Sequence, residues 1–169
     1  NVITAHFQII LPGAFRIHPQ SEQCLSYANL HSWSPGRSYF SLFDIEGSES
    51  VWILHFSRPV GEGLASLVRN KNVMSGINVY KDFREADSLI YLEIGEMLRK
   101  FFNSIIEIWN QVDELSVIRC RHILQLGFQK GANVSEDYVV LPFNLDNNFC
   151  SGVFHIILPQ KFLINIEDN

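Results

Sequence analysis

The chain lacks most of the signals that announce chemistry or a membrane. No apolar run approaches the roughly 18 residues that a membrane-spanning helix needs. There is no Gly-x-Ser-x-Gly elbow and no phosphate-cradling P-loop. The six histidines (His6, His18, His31, His55, His122 and His155) show neither HxH nor HExxH spacing. The three cysteines, Cys24, Cys120 and Cys150, are an odd number, widely spaced and without a CxxC. They read as buried thiols of a reducing cytoplasm and exclude a disulfide frame or a structural metal site. Basic residues are outnumbered: 13 Lys and Arg stand against 18 Asp and Glu, a net charge of −5. That balance argues against a nucleic-acid partner. Gly61-Glu62-Gly63 lies between a strand and a short helix but has neither a third glycine nor a βαβ setting, so no nucleotide is expected there. Neither a metal nor a cofactor is expected. The first residue is Asn1, with no charged-then-apolar leader, so no signal peptide is expected, and a start other than Met points to a piece of a longer protein.

What is present is a globular composition, 47% hydrophobic and 18% charged over 169 residues. That length suits one domain or two small halves sharing a core. The stretch from about Asp82 to Val112 has Leu89, Ile90, Ile94, Met97, Leu98, Phe101, Ile105, Ile108, Trp109 and Val112 at intervals of three and four, the period of an amphipathic helix. Asp82 or Asp87 can cap its start, and Glu85, Glu93 and Glu96 suit the positive end of the helix dipole. At 1.5 Å per residue it would be about 40 Å long.

Strand-rich segments flank that helix. Residues 2–11 read as a short helix or strand, stopped by Pro12-Gly13. Next come a short extended piece with Phe15 and Ile17 alternating, a short element over Cys24–Leu30, and a turn at Ser32–Gly36. Two strands follow, Ser38–Ile45 and Ser50–Phe56, joined by the hairpin loop Glu46–Glu49. Pro59 ends the second strand, and Gly61–Arg69 can form a short helix with Leu64, Leu67 and Val68 inward. Residues 70–81 are loop-like. After the long helix the order repeats. There is a strand region over Leu115–Leu126 interrupted by polar Arg119, Arg121 and His122, a link over Gly127–Glu136, and a second hairpin, Asp137–Leu145 and Gly152–Leu158. Pro159 ends that last strand.

The two hairpins lie roughly 100 residues apart and share one plan, and Phe15-Arg16-Ile17 answers Ser116-Val117-Ile118. The pattern predicts an α/β fold of two pseudo-symmetric α-β-β-β halves, about 1–81 and 82–169, in a single domain spanning 1–169. Both halves would form one antiparallel sheet with long helices packed on one face. His55 and His155 fall at equivalent places in the two halves, where a hydrogen-bonded, half-buried imidazole pair is expected in preference to zinc. Arg119, Arg121 and His122 suit an edge strand guarded by charge, with an acidic partner as the sharper reading. Trp33, Trp52 and Trp109 suit core packing, although Trp33 at a loop could anchor an interface.

Several of these pieces carry a family resemblance. They are the helix ending in Ile108-Trp109, the strand around Val117–Arg121, the segment Asp137-Tyr138-Val139-Val140, and Gly152-Val153-Phe154-His155-Ile156-Ile157-Leu158-Pro159. Together they resemble the middle domain of the flagellar motor-switch protein FliM, which belongs with the chemotaxis phosphatases CheC and CheX. The front half resembles the same family through Ser26-Tyr27, the strand pair at Ser38–Phe56 and the helix Leu64–Val68. The order of elements carries the match over nearly the whole chain.

The resemblance implies a non-enzymatic subunit of the cytoplasmic rotor ring at the inner face of the cell membrane. Such a subunit relays chemotaxis signals that set the direction of rotation. Its implied partners are a FliG-like switch protein, a FliN-like protein, phosphorylated CheY and neighbouring copies of itself. In the family, the loop after the short helix carries a Gly-Gly-x-Gly motif that contacts the FliG-type partner. Here the corresponding place reads Arg69-Asn70-Lys71-Asn72, which makes Arg69, Asn70, Lys71 and Asn72 the implied partner-binding residues. Asparagine tolerates the left-handed backbone that glycine would supply. The family's FliN-binding tail and its N-terminal CheY-binding peptide have no recognisable counterpart, so a divergent FliM or a FliM-like paralogue is expected.

An enzyme is the alternative. CheC- and CheX-type phosphatases of phosphorylated CheY place a Glu and, three residues on, an Asn on one helix face. This chain offers Glu93-Ile94-Gly95-Glu96. A carboxylate in the amide's place repels phosphoryl oxygens and cannot donate a hydrogen bond at neutral pH. A solvated acidic face near a helix start is the plainer reading of these residues.

Overall fold

The computed structural model describes residues 16–33, 38–46, 48–61, 63, 117–123, 126, 135–146 and 151–161, without the side chains of 31–33, 117, 120 and 122. Seven strands and one complete helix fall within them: β1 (Arg16–Pro19), β2 (Gln23–Ser26), α1 (Tyr27–Trp33), β3 (Tyr39–Ile45), β4 (Val51–Phe56), β5 (Val117–Ile123), β6 (Asp137–Asp146) and β7 (Ser151–Pro159). The predicted long helix over 82–112 lies outside the described residues. So do the segment 2–11, the loop 70–81 and all but the first residues of the short helix over 61–69.

All seven strands form one antiparallel sheet in the order β1-β6-β7-β4-β3-β5, with β2 also pairing β6. Both predicted hairpins are present. β3 and β4 pair from Tyr39↔Phe56 to Asp44↔Val51, and β6 and β7 pair from Tyr138↔Pro159 to Asp146↔Ser151. The hairpins meet along β4 and β7, where Ile53↔Ile157, Leu54↔Ile156, His55↔His155 and Phe56↔Phe154 face each other. Each hairpin is flanked by a strand from the other part of the sequence, β5 beside β3 and β1 beside β6.

Side chains alternate across a strand, so the register sorts the core into two faces. Phe40, Leu42, Ile53, Val140, Tyr138 and Ile157 share one face with Tyr27 and Leu30 of α1 and with Leu126, in a single buried cluster. Tyr39, Phe43, Trp52, Leu54, Phe56, Phe143, Phe154, Ile156 and Leu158 are buried on the other. There Phe154 stacks on Phe56 at 5.5 Å and on Phe143 at 4.8 Å between ring centroids. With both faces shielded, the central strands read as near-continuous apolar runs such as Val51-Trp52-Ile53-Leu54. α1 packs on the first of these faces, and the long helices expected beside it lie outside the described residues.

Three local expectations shift. The element over Cys24–Leu30 is a strand followed by a helix: Ser26 Oγ accepts from Asn29 N–H at 3.4 Å, an N-cap that starts α1 directly after β2. α1 then runs through Ser32 and Trp33, where a turn is expected from the sequence; no helix breaker occurs before Pro35. Cys24 is exposed, not buried, because the short strand β2 turns Gln23 and Cys24 to solvent. Pro142 sits inside a strand paired on both sides, normally a forbidden place. Its carbonyl accepts from Gln20 N–H at 2.9 Å, so its nitrogen points the same way, toward the link between β1 and β2 where no ladder bond is lost.

Candidate functional site

The implied partner-binding residues Arg69, Asn70, Lys71 and Asn72 lie outside the described residues, as do Glu93 and Glu96 of the phosphatase alternative. The described structure does define the point from which the chain departs toward residues 69–72. Residues 58–61 form a helical turn immediately after β4. Ser57 locks it: its N–H donates to Val153 O at 3.0 Å, its Oγ accepts from Val153 N–H at 3.2 Å, and its carbonyl accepts from Gly61 N–H at 3.0 Å. Two glycines permit the close packing. A Cβ on Gly61 would collide with the buried Tyr39 ring, and one on Gly152 would stand 2.6 Å from Ser57 Oγ and 2.8 Å from Val60 Cγ2.

The predicted histidine pair is present and is more buried than expected. His55 and His155 oppose each other in the β4–β7 register and are 5% and 7% exposed. Their Nδ1 atoms are 2.8 Å apart, a hydrogen bond in which one imidazole donates and the other accepts. Phe40 packs on the His55 ring at 4.6 Å between centroids. Burial holds both imidazoles well below the usual histidine pKa, and for His55 the charge on His155 lowers it further.

A polar knot that the sequence does not announce surrounds Glu136. Its carboxylate is buried and accepts a hydrogen bond from Ser50 Oγ through Oε2, while Oε1 lies 3.9 Å from Lys161 Nζ. The Glu136 carbonyl accepts from Tyr27 N–H at 2.9 Å, tying the start of α1 to the start of β6. Nearby Tyr138 packs against Tyr27 at 5.8 Å between centroids. Burial first, then the Glu136 carboxylate and Tyr27, raise its phenol far above the ordinary tyrosine pKa, against a smaller opposing pull from a hydrogen bond with the Val51 backbone. Ser50, Glu136 and Lys161 are too far apart in the chain for any spacing rule to join them. The group ties three segments together.

At the sheet margin, the expected basic cluster is divided. Arg121 bonds Asp44 of β3 at 3.0 Å, with both side chains about a third exposed, whereas Arg119 is exposed. The register shift between Asp44↔Arg119 and Ile45↔Val117 leaves Ile118 as the unpaired residue of a β-bulge, 68% exposed. Among the described residues no three His, Cys, Asp or Glu side chains gather as a metal site, and no helix is long and apolar enough to cross a membrane.

No protein-family model and no curated protein sequence matches the chain. Solved structures do match its fold over nearly its full length. FliM of H. pylori, solved in a FliM–SpeE complex, superposes with a TM-score of 0.72 at 13% identity, covering 98% of this chain and 86% of that one. FliM of the H. pylori FliG–FliM complex gives 0.69 at 12% identity, covering 93% and 84%. The chemotaxis protein CheX of Desulfovibrio desulfuricans gives 0.57 at 9% identity, covering 93% of each chain. Likeness at such identity concerns the backbone: this chain has the fold of the FliM middle domain and its CheC-like kin.

Proposed function

We propose that this domain is a non-enzymatic subunit of a flagellar motor switch. In this reading it binds a FliG-like protein and neighbouring copies of itself in a ring at the inner face of the cell membrane, and it relays chemotaxis signals from phosphorylated CheY. A FliN-like protein is a further partner in the same reading. The observation that carries it is the near-full-length likeness to FliM, including FliM solved together with FliG. The proposal extends to architecture: two α-β-β-β halves, about 1–81 and 82–169, arose by doubling. The sheet order supports this, since apart from β2, which also pairs β6, it reads alike from both ends and His55 meets its counterpart His155 at the middle.

The contact with the FliG-like protein is assigned to Arg69, Asn70, Lys71 and Asn72, which follow the turn locked by Ser57. Titration calorimetry of the chain against the FliG-type protein of the same organism is expected to show saturable binding. Reversing charge at Arg69 and Lys71 is expected to weaken it about tenfold or more. Absence of binding at any attainable concentration sinks the reading.

The likeness to CheX keeps a phosphatase of phosphorylated CheY as a second reading. Glu96 stands where that chemistry needs an amide, so phosphorylated CheY is expected to lose its phosphate no faster with this protein than without it. Accelerated loss that disappears in Glu93→Ala would favour the enzyme.

A further inference from the structure

We propose that the hydrogen-bonded His55–His155 pair makes the joint between the two hairpins an acid-sensitive latch, closed while the pair is neutral and released by protonation. The joint is short, four register pairs from Ile53↔Ile157 to Phe56↔Phe154, and the other three pairs are apolar. At 2.8 Å, one Nδ1 must carry a hydrogen and the other a lone pair. The neutral pair therefore holds two different tautomers, although the two residues occupy equivalent places. One extra proton, placed on an outer Nε2, leaves the bond intact. A second proton puts two N–H groups face to face and adds a second buried charge of the same sign, so the bond is lost.

Among the described residues, the strands and the helix that flank the pair carry few charges. Beside His55, the same face of β3 carries Phe40 and Leu42, then Asp44, which is ion-paired to Arg121 of β5. Pro142 of β6 opposes His155, with Asn144 and Asp146 to one side and Val140 and Tyr138 to the other. α1 turns Tyr27 and Leu30 toward this face. Both imidazoles sit below the pKa of about 6.5 that they regain on unfolding. The unfolded chain thus binds more protons, and stability present above pH 6.5 is lost as pH falls toward the folded values.

The test is denaturant unfolding of the whole chain between pH 7.5 and 4.5, beside the double variant His55→Gln, His155→Gln. Two amides can still bond across the joint but cannot titrate. From pH 5.5 to 4.5 the folding equilibrium constant of the parent is expected to fall roughly tenfold further for each imidazole than that of the variant. Equal slopes overturn the proposal. Should the variant not fold, nitrogen NMR of the parent decides. One Nδ1–H and one Nε2–H tautomer persisting below pH 5.5 support the latch. Two Nε2–H imidazoles titrating near pH 6.5 overturn it.

Discussion

In the middle of the sheet, β4 and β7 bury both of their faces, with Trp52, Leu54, Phe56, Phe154, Ile156 and Leu158 on one and Ile53, His55, His155 and Ile157 on the other. At the margins the same backbone pattern carries different side chains. β2 exposes Gln23 and Cys24, and β5 turns the bulged Ile118 and Arg119 outward. The contrast separates two jobs. Central residues are constrained by packing on every side, so nearly any change there disturbs the fold. Marginal residues have solvent on one side and are free to vary with partners.

The contrast breaks first at Phe154, the ring stacked between Phe56 and Phe143. Phe154→Ala is expected to destabilise by about 3–5 kcal/mol, read as a lower denaturant midpoint, because it opens a cavity in the doubly covered centre. Next in size is Gly61→Ala, where a methyl group meets the Tyr39 ring and displaces it, at about 1–3 kcal/mol. Ser50→Ala strands the buried Glu136 Oε2 without its donor. A loss of roughly 1–3 kcal/mol is expected, with Ser50→Thr restoring most of it in the same unfolding assay. At the margin, a double-mutant cycle on Asp44 and Arg121 should return about 0–1 kcal/mol, falling with added salt, since the pair is partly solvated. The smallest effect is expected for Ile118→Lys, within about 0.5 kcal/mol of the parent. A large loss of stability at Ile118 would erase the distinction between centre and margin.

Much of this was legible in the residues. Four strands are bounded by Gly, Ser, Asn and Pro and carry apolar runs, so both hairpins could be placed within a residue or two. The spacing of about 100 residues picked out His55 and His155 as counterparts. Less legible was whatever depends on the opposite strand. Cys24 reads as a core thiol because cysteine usually is one, yet in a four-residue strand at the margin it is exposed. The buried knot of Ser50 and Glu136 spans 86 residues of sequence and leaves no local trace. The tight approach of Gly61 to Tyr39 is equally silent, for a glycine in a turn has many possible reasons.

Alternation, turn chemistry and apolar runs are local properties, and by themselves they determined where strands begin and end and that two hairpins recur. Which strand lies beside which is a different matter, because pairing is chosen by the total burial that a whole sheet achieves. Only that choice brought two imidazoles 100 positions apart to within a hydrogen bond, put Pro142 where its missing N–H does no harm, and left Ile118 facing water.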